Sequence, residues 1–114
     1  MSHISTHVLD TSTGRPAAGV HVKLELLSGN EDWKVLGSGA TDPDGRLKLS
    51  FPEGFHFAPG TYRLRFDTGS YFRAQRIPGL YPEVAVVFDV RDPERPLHIP
   101  LLLSPHGYTT YRGS

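Results

Sequence analysis

The sequence predicts an all-β fold, an antiparallel β-sandwich or barrel of about eight strands with one short helix. Twelve glycines and ten prolines interrupt the chain at short intervals, and between them polar and apolar residues alternate. Short strands separated by turn residues are typical of sandwiches and barrels. One segment departs from this alternation and accounts for the helix. With 114 residues the chain fits one domain, which we place over residues 1–114.

The first predicted strand, near residues 3–9, has one apolar face and one polar face. Ile4 and Val8 lie on the apolar face, which we assign to the core, so His7 points outward. In the strand near residues 46–51, the same alternation places Arg46 on the outward face. The other strands are predicted near residues 20–28, 33–39, 61–67, 84–90, 97–103 and 108–112.

Two of the connecting segments have distinctive chemistry. Asp42-Pro43-Asp44-Gly45 has Asp first, Pro second and Gly fourth, the order of a type I turn. A calcium loop begins similarly, but its remaining oxygen ligands and closing Glu are absent, which favours the turn. Between Gly69 and Ile77 the residues do not alternate, which predicts a helix of about two turns. Asp67 or Thr68 would cap this helix, and Pro78-Gly79 would end it.

The strand near residues 97–103 is apolar on both faces at its end. Leu101–Leu103 are three consecutive leucines, and the middle one, Leu102, shares its face with His98. The outer face of a sandwich strand normally meets water, so a second apolar face needs a cover. We therefore predict that another subunit covers Leu102. Pro100 lacks a backbone N–H and is expected where the sheet requires no hydrogen bond.

The charge balance and the composition exclude several classes of protein. The formal charge is zero, because 12 Lys and Arg balance 12 Asp and Glu. Nucleic acids and anionic membranes select a cationic excess, so neither is an expected partner. No apolar run approaches the roughly 18–20 residues of a transmembrane helix, and no signal peptide precedes the first strand, so we expect a cytoplasmic protein. There are no cysteines, which excludes disulfides and thiolate metal ligands.

Histidine and arginine are the candidate functional side chains. Six histidines are present, and two of them, His7 and His98, are predicted on outward faces, as is Arg46. Each of these side chains alone is more often a solvated surface residue. No HxH or HExxH motif is present, so no metal site is predicted. Without a cysteine or a GxSxG motif, a hydrolase would use water activated by neutral imidazole, and arginine would hold a carbonyl-rich or anionic substrate.

Three blocks of the sequence resemble those of a known family. They are HVLDTSTGRPAAGV near the N-terminus, TDPDGR in the centre and HIPLLLSPHGYTTYRGS at the C-terminus. Together they resemble the transthyretin-related 5-hydroxyisourate hydrolases over essentially the whole chain. The final Tyr-Arg-Gly-Ser is the most specific block, because this ending separates the hydrolases from transthyretin, the hormone carrier with the same fold.

The resemblance implies a transthyretin-like antiparallel β-sandwich that forms a homotetramer, a dimer of dimers, with sites in the channel between the dimers. It implies hydrolysis of 5-hydroxyisourate to 2-oxo-4-hydroxy-4-carboxy-5-ureidoimidazoline in urate degradation, with no metal or organic cofactor. The catalytic roles would fall to His7, Arg46, His98 and Ser114. The substrate-binding roles would fall to His7, Arg46, Tyr111 and Arg112.

Alternatives remain for two of the residue roles and for the function. Either His7 or His98 would serve as the general base, and Tyr111 would either contact the substrate or form the pocket wall. The first alternative function is a transthyretin-like carrier without hydrolytic activity. Such a carrier would not need His7, Arg46 and His98 together. An adhesion sandwich without a small-molecule site is the second, and it predicts a monomer.

Overall fold

The computed structural model describes residues 3–113, which form two β-sheets and one short helix. The predicted all-β sandwich is confirmed. In chain order the elements are β1 (Ile4–Asp10), β2 (Arg15–Pro16), β3 (His21–Leu27), β4 (Trp33–Ala40), β5 (Arg46–Leu49), β6 (Gly60–Phe66), α1 (Thr68–Ala74), β7 (Val84–Val90), β8 (Leu97–His98), β9 (Leu101–Leu103) and β10 (Tyr108–Thr110). The sequence pattern gives no indication of β2, which is only 2 residues long.

The central strand of the first sheet is β1. Along one edge it pairs antiparallel with β5 and then with β2, and along the other it runs parallel to β8 and then to β9. The sheet is completed by β10, which pairs antiparallel with β9. Alternate residues of β1 are buried from Ile4 to Asp10, and the residues between them, including His7, face outward. The predicted assignment of the two faces of β1 is therefore confirmed.

The second sheet has the strand order β4-β3-β6-β7, and all of its pairs are antiparallel. The core is formed by residues of both sheets together with the helix. Its largest fully buried side chains are Ile4, Val8, Val20, Val22, Leu24, Leu49, Tyr62, Leu64, Phe66, Phe72, Leu101 and Leu103. Each such large side chain contributes about 1.5–3 kcal/mol by leaving water, which holds the two sheets together.

The strand predicted over residues 97–103 is interrupted between β8 and β9. Pro100 lies in the interruption, so its missing N–H leaves no gap in the hydrogen bonding of the sheet. The N–H of Ile99 still donates to the Ser5 carbonyl over 2.9 Å, and two side chains bridge the segment as well. The Thr6 hydroxyl donates to the Ile99 carbonyl over 2.6 Å, and the Thr110 hydroxyl donates to the next carbonyl over 2.7 Å. The one predicted strand is thus two short strands, and threonine hydroxyls hold the segment between them.

The predicted helix is present as α1, which is shorter than the predicted span of residues 69–77. The Asp67 carboxylate accepts a hydrogen bond from the backbone N–H of Ser70 over 3.1 Å, so Asp67 is the N-cap. The helix ends at Ala74, and Arg76 has a positive φ of 59°, which does not continue a helix. Within residues 3–113 there is no helix long and apolar enough to span a membrane.

A buried hydrogen bond between Asp10 and Tyr71 ties α1 to β1. Asp10 is fully buried, and one of its carboxylate oxygens accepts a hydrogen bond from the Tyr71 hydroxyl over 2.8 Å. The other oxygen accepts hydrogen bonds from the backbone N–H and the hydroxyl of Ser12. Burial raises the pKa of Tyr71, and the hydrogen bond with Asp10 raises it further, so the phenol stays protonated and donates.

Replacing Tyr71 by phenylalanine is expected to lower the free energy of unfolding by about 1–3 kcal/mol, because a buried carboxylate oxygen loses its partner. Urea denaturation followed by circular dichroism measures this change as a lower midpoint. The matched control is Tyr81→Phe, since the Tyr81 hydroxyl makes no hydrogen bond within residues 3–113. The Tyr81 ring packs edge to face on Tyr108, with 5.2 Å between the ring centroids. Equal midpoints for the two variants would show that the Asp10–Tyr71 bond does not stabilise the fold.

Candidate functional site

Four polar residues lie side by side on the outward face of the first sheet. The register pairs His7 of β1 with Arg46 of β5, and it pairs Ser5 of β1 with His98 of β8. Residues opposite each other on neighbouring strands share a face, as do residues two positions apart on one strand. The structure therefore brings His7, Arg46 and His98 to one surface, with Ser5 between them.

The turn before β5 positions Arg46 next to β1. The Asp42 carboxylate accepts hydrogen bonds from the backbone N–H groups of Asp44 and Arg46, both over 2.9 Å. The N–H of Gly45 closes the turn on the Asp42 carbonyl over 2.8 Å. Gly45 has a φ of 76°, and a Cβ on it would collide with the carbonyl oxygen of Val8. The predicted turn is confirmed, and glycine is required for it to lie against β1.

The same turn holds the ring of His7. Nε2 of His7 lies 2.9 Å from the carbonyl oxygen of Asp44. A carbonyl oxygen only accepts hydrogen bonds, so Nε2 carries the hydrogen and Nδ1 is the basic nitrogen of the neutral ring. The turn thus sets both the position of Arg46 and the tautomer of His7.

His98 is half-buried between β1 and the segment that follows β10. Its Nδ1 is 2.9 Å from the Ser5 hydroxyl, and its carbonyl accepts a hydrogen bond from the N–H of Gly113 over 2.8 Å. Burial lowers the pKa of His98 below 6.5, and the charges of Arg46 and His7 lower it further, while a hydrogen bond with the Ser5 backbone opposes them. His98 is therefore a neutral imidazole at neutral pH and is able to accept a proton.

Arg46 and His98 line one open depression with a volume of about 710 Å³. The side chains of Lys48 and Arg95 also line it, so its surface is rich in cations. Among the described residues of this lining, the only carboxylate belongs to Asp42, which is bound to the backbone of its turn. A surface of this charge favours a substrate that is anionic or becomes so during reaction.

The other predicted site residues do not line this depression. His7 adjoins the depression without being part of its lining. Tyr111 follows β10 and exposes 54% of its surface. Arg112 lines a separate depression, which Asp89 of β7 also lines. Ser114 lies outside the described residues.

Metal ligands are not grouped in the part of the chain that the structure describes. Within residues 3–113, no three His, Asp or Glu side chains are arranged to hold a metal ion. His3 and His7 have the four-residue spacing that brings two side chains together on a helix. In this chain they lie along an extended segment, where four residues span about 13 Å. This separation is too large for one ion.

Two outward-facing neighbours of the site, Ser5 and Lys48, are not singled out by the sequence analysis. Ser5 lies two residues before His7, Lys48 lies two residues after Arg46, and the register places Ser5 and Lys48 opposite each other. The alternation that identifies His7 and Arg46 would also have identified these two residues. Arg95 lies in the loop before β8, and no periodic pattern marks it.

The chain resembles known proteins in both sequence and structure. The model of the HIUase/Transthyretin family matches residues 4–113. The 5-hydroxyisourate hydrolase of Salmonella dublin is 47% identical over 111 residues, which cover 97% of this chain and 80% of that protein.

Two solved structures are similar over nearly the whole chain. The 5-hydroxyisourate hydrolase of Klebsiella pneumoniae has a TM-score of 0.84 and 34% identity, and the match covers 99% of this chain and 100% of that one. Sea bream transthyretin in complex with thyroxine has a TM-score of 0.88 and 31% identity, covering 96% of this chain and 93% of that one. Because the same fold occurs in both, the functional assignment depends on the site residues.

Proposed function

The chain belongs to the HIUase/transthyretin family, and on this basis we propose that it hydrolyses 5-hydroxyisourate in urate degradation. A sequence relative and a structural neighbour both bear the name of this hydrolase. The observation that carries the proposal is the joint placement of Arg46 and a neutral His98 at one open depression, with His7 beside it. Hydrolysis of a cyclic amide requires a general base, a cation and space for a planar substrate, and this depression offers all three.

In the proposed reaction, His98 removes a proton from water while the water oxygen adds to a ring carbonyl carbon of the substrate. The bond between that carbon and the adjacent ring nitrogen then breaks, and the nitrogen takes the proton back from His98. The ring is thereby opened, and its carbonyl carbon becomes a carboxylic acid group of the product, which ionises in solution. Arg46 stabilises the negative charge that develops on the carbonyl oxygen. His7, bound to its turn through Nε2, accepts a hydrogen bond from the water at Nδ1.

The proposal is tested by following the ultraviolet decay of 5-hydroxyisourate, made in place from urate and urate oxidase. Decay is expected to be faster with the protein than without it, and the acceleration is expected to disappear in a His7→Ala, Arg46→Ala double variant. Circular dichroism confirms that this variant is folded. Decay at the spontaneous rate with folded wild-type protein would refute the hydrolase and would support the carrier, the second candidate, which the likeness to transthyretin favours.

The proposal includes assembly into a homotetramer, a dimer of dimers, with the site near a subunit interface. Its support is an apolar pair on the same outward face as the site. Leu9 of β1 lies opposite Leu102 of β9, and both are half-buried. Tyr111, in the segment after β10, is a further large side chain with 54% of its surface exposed. A second copy of the chain would cover these residues, whereas a monomer leaves them in contact with water.

Replacing Leu102 by glutamate is expected to halve the molecular mass of the assembly in solution, or to reduce it further. The reason is that a carboxylate at an apolar interface has no partner. Sedimentation velocity measures the mass, and turnover is expected to fall with it if the site needs the interface. The matched control is Val35→Glu, since Val35 is on the second sheet with 51% of its surface exposed. An unchanged mass for the Leu102 variant would remove this face from the proposed interface.

The same proposal gives Ser114 a catalytic role. It also gives Tyr111 and Arg112 roles in binding the substrate. The support for including this segment is the backbone bridge between Gly113 and His98, which joins it to the strand of the catalytic histidine. The exposed ring of Tyr111 is available to a substrate or to a neighbouring subunit.

A further inference from the structure

Ser5 has no role in the proposed reaction, yet it contacts the catalytic histidine. It lies directly opposite His98 in the pairing of β1 with β8, and its hydroxyl is 2.9 Å from Nδ1 of the ring. The backbone fixes this pairing, because the N–H of Ile99 donates to the Ser5 carbonyl over 2.9 Å. Within residues 3–113, Nε2 of His98 makes no hydrogen bond. Ser5 therefore engages one ring nitrogen and leaves the other available.

Gly113 lies against the carbon edge of the same ring. A Cβ added to Gly113 would be 2.5 Å from Cδ2 of His98 and 3.2 Å from Cγ, so the ring would have to move. Gly113 does not have a positive φ, and its backbone conformation therefore does not itself require glycine. The close contact with His98 is what excludes a side chain at this position.

We propose that Ser5 and Gly113 are positioning residues that fix the orientation and the tautomer of His98. This proposal rests on the hydrolase function proposed above. The Ser5 hydroxyl accepts a hydrogen bond from Nδ1–H, which leaves the lone pair on Nε2 for the proton of the attacking water. Gly113 lets the backbone lie close against Cδ2, so the ring has a single resting position. Ser5 lines the same depression as His98, and both Ser5 and Gly113 act through His98.

The orientation of a histidine base determines its activity, because proton transfer requires the correct tautomer within hydrogen-bond reach. Ser5 itself is on a strand that is paired along both edges, and a side chain on such a rigid element holds its partner more accurately than one on a loop.

The test compares three variants with two matched controls. Ser5→Ala removes the hydroxyl, Ser5→Thr retains one, and Gly113→Ala adds the Cβ that meets the ring. Ser38→Ala is the control for the lost hydroxyl, because Ser38 is exposed on β4 of the other sheet. Gly107→Ala is the control for the added methyl, since a Cβ on Gly107 would have no contact closer than 4.0 Å. Circular dichroism establishes that every variant is folded.

Two readouts are measured for each variant: kcat and KM for 5-hydroxyisourate, and the tautomer of His98 by ¹⁵N NMR of its imidazole, assigned against His98→Gln. The wild type is expected to carry its proton on Nδ1. Ser5→Ala is expected to lower kcat about 10- to 100-fold with little change in KM, the range for a lost hydrogen bond to a group that becomes charged. It is also expected to give mixed tautomers, and Ser5→Thr is expected to restore both properties.

For Gly113→Ala, kcat is expected to fall on the order of 100-fold, because a small displacement of a catalytic group has effects of this size. Wild-type kcat and an unchanged tautomer in Ser5→Ala would overturn the proposal for Ser5, and wild-type kcat in Gly113→Ala would overturn it for Gly113. In both of these cases the hydrolase function would stand. If the wild type did not accelerate the decay at all, the proposed hydrolase function would be refuted. The NMR spectra would still decide whether Ser5 sets the tautomer of His98.

Discussion

Replacing His98 by alanine is expected to lower turnover of 5-hydroxyisourate about 10²–10⁴-fold, the usual contribution of a general base. His98 is the residue with the largest expected effect because burial, Arg46 and His7 together lower its pKa below 6.5. A ring that is neutral at the working pH can take a proton from water, whereas alanine offers no acceptor. The backbone bridge to Gly113 does not depend on the ring, so the fold is expected to persist.

The measurement is the decay assay described above, carried out with variants at two histidines. His106→Ala is the matched control, because His106 is exposed in the turn before β10. His98→Gln keeps a polar side chain of similar length but has no basic nitrogen, so it is expected to be as inactive as His98→Ala. Activity of the glutamine variant close to that of the wild type would mean that position 98 serves binding or orientation and that the base lies elsewhere.

Replacing Arg46 by alanine is expected to lower kcat about 10²–10³-fold, as the loss of one group that stabilises a developing oxyanion does in other enzymes. A second effect follows from the charge of Arg46, which is one of the causes that lower the pKa of His98. Without that charge the imidazole binds its proton more tightly, and its pKa rises. The remaining activity is therefore expected to be lost at a higher pH than in the wild type as the solution is acidified.

The dependence of kcat/KM on pH measures this shift, because it reports the pKa of groups in the free enzyme. For the wild type the acid limb is expected below pH 6.5, since that is the side to which the pKa of His98 is displaced. Arg46→Lys separates the two effects of arginine. It keeps the charge, so the acid limb is expected to stay in place, but it loses the paired donors, so kcat is expected to fall. An acid limb that is the same in the alanine variant would show that Arg46 does not influence the base.

Features that depend on local chemistry could be predicted from the sequence. The alternation of β1 identified Ile4 and Val8 as core residues and His7 as an outward one, because successive side chains of a strand point to opposite faces. The sequence narrows the cap of α1 to Asp67 or Thr68, and Asp67 takes the position because its short carboxylate reaches the free N–H groups of the first turn. The turn that precedes Arg46 followed from its order of residues.

Features that depend on contacts between distant segments could not be predicted. The interruption at Pro100 is bridged by hydroxyls from other strands, and nothing near residue 100 indicates which threonines those are. The tautomer of His7 depends on the carbonyl of Asp44, 37 positions away in the chain. The presence of Arg112 in the lining of a different depression from that of Arg46 and His98 depends on the path of the segment after β10. Residue spacing contains none of this information.

The position of the site on β1 has a consequence for thermal inactivation. Many enzymes carry their catalytic groups on loops, which open locally at low free-energy cost and inactivate before the protein unfolds. Here His7 projects from the strand that is paired along both edges, and the residue opposite His98 belongs to the same strand. Separating β1 from its neighbours would require the whole sandwich to open. Displacement of His7 and Ser5 on heating would therefore coincide with cooperative unfolding of the sandwich.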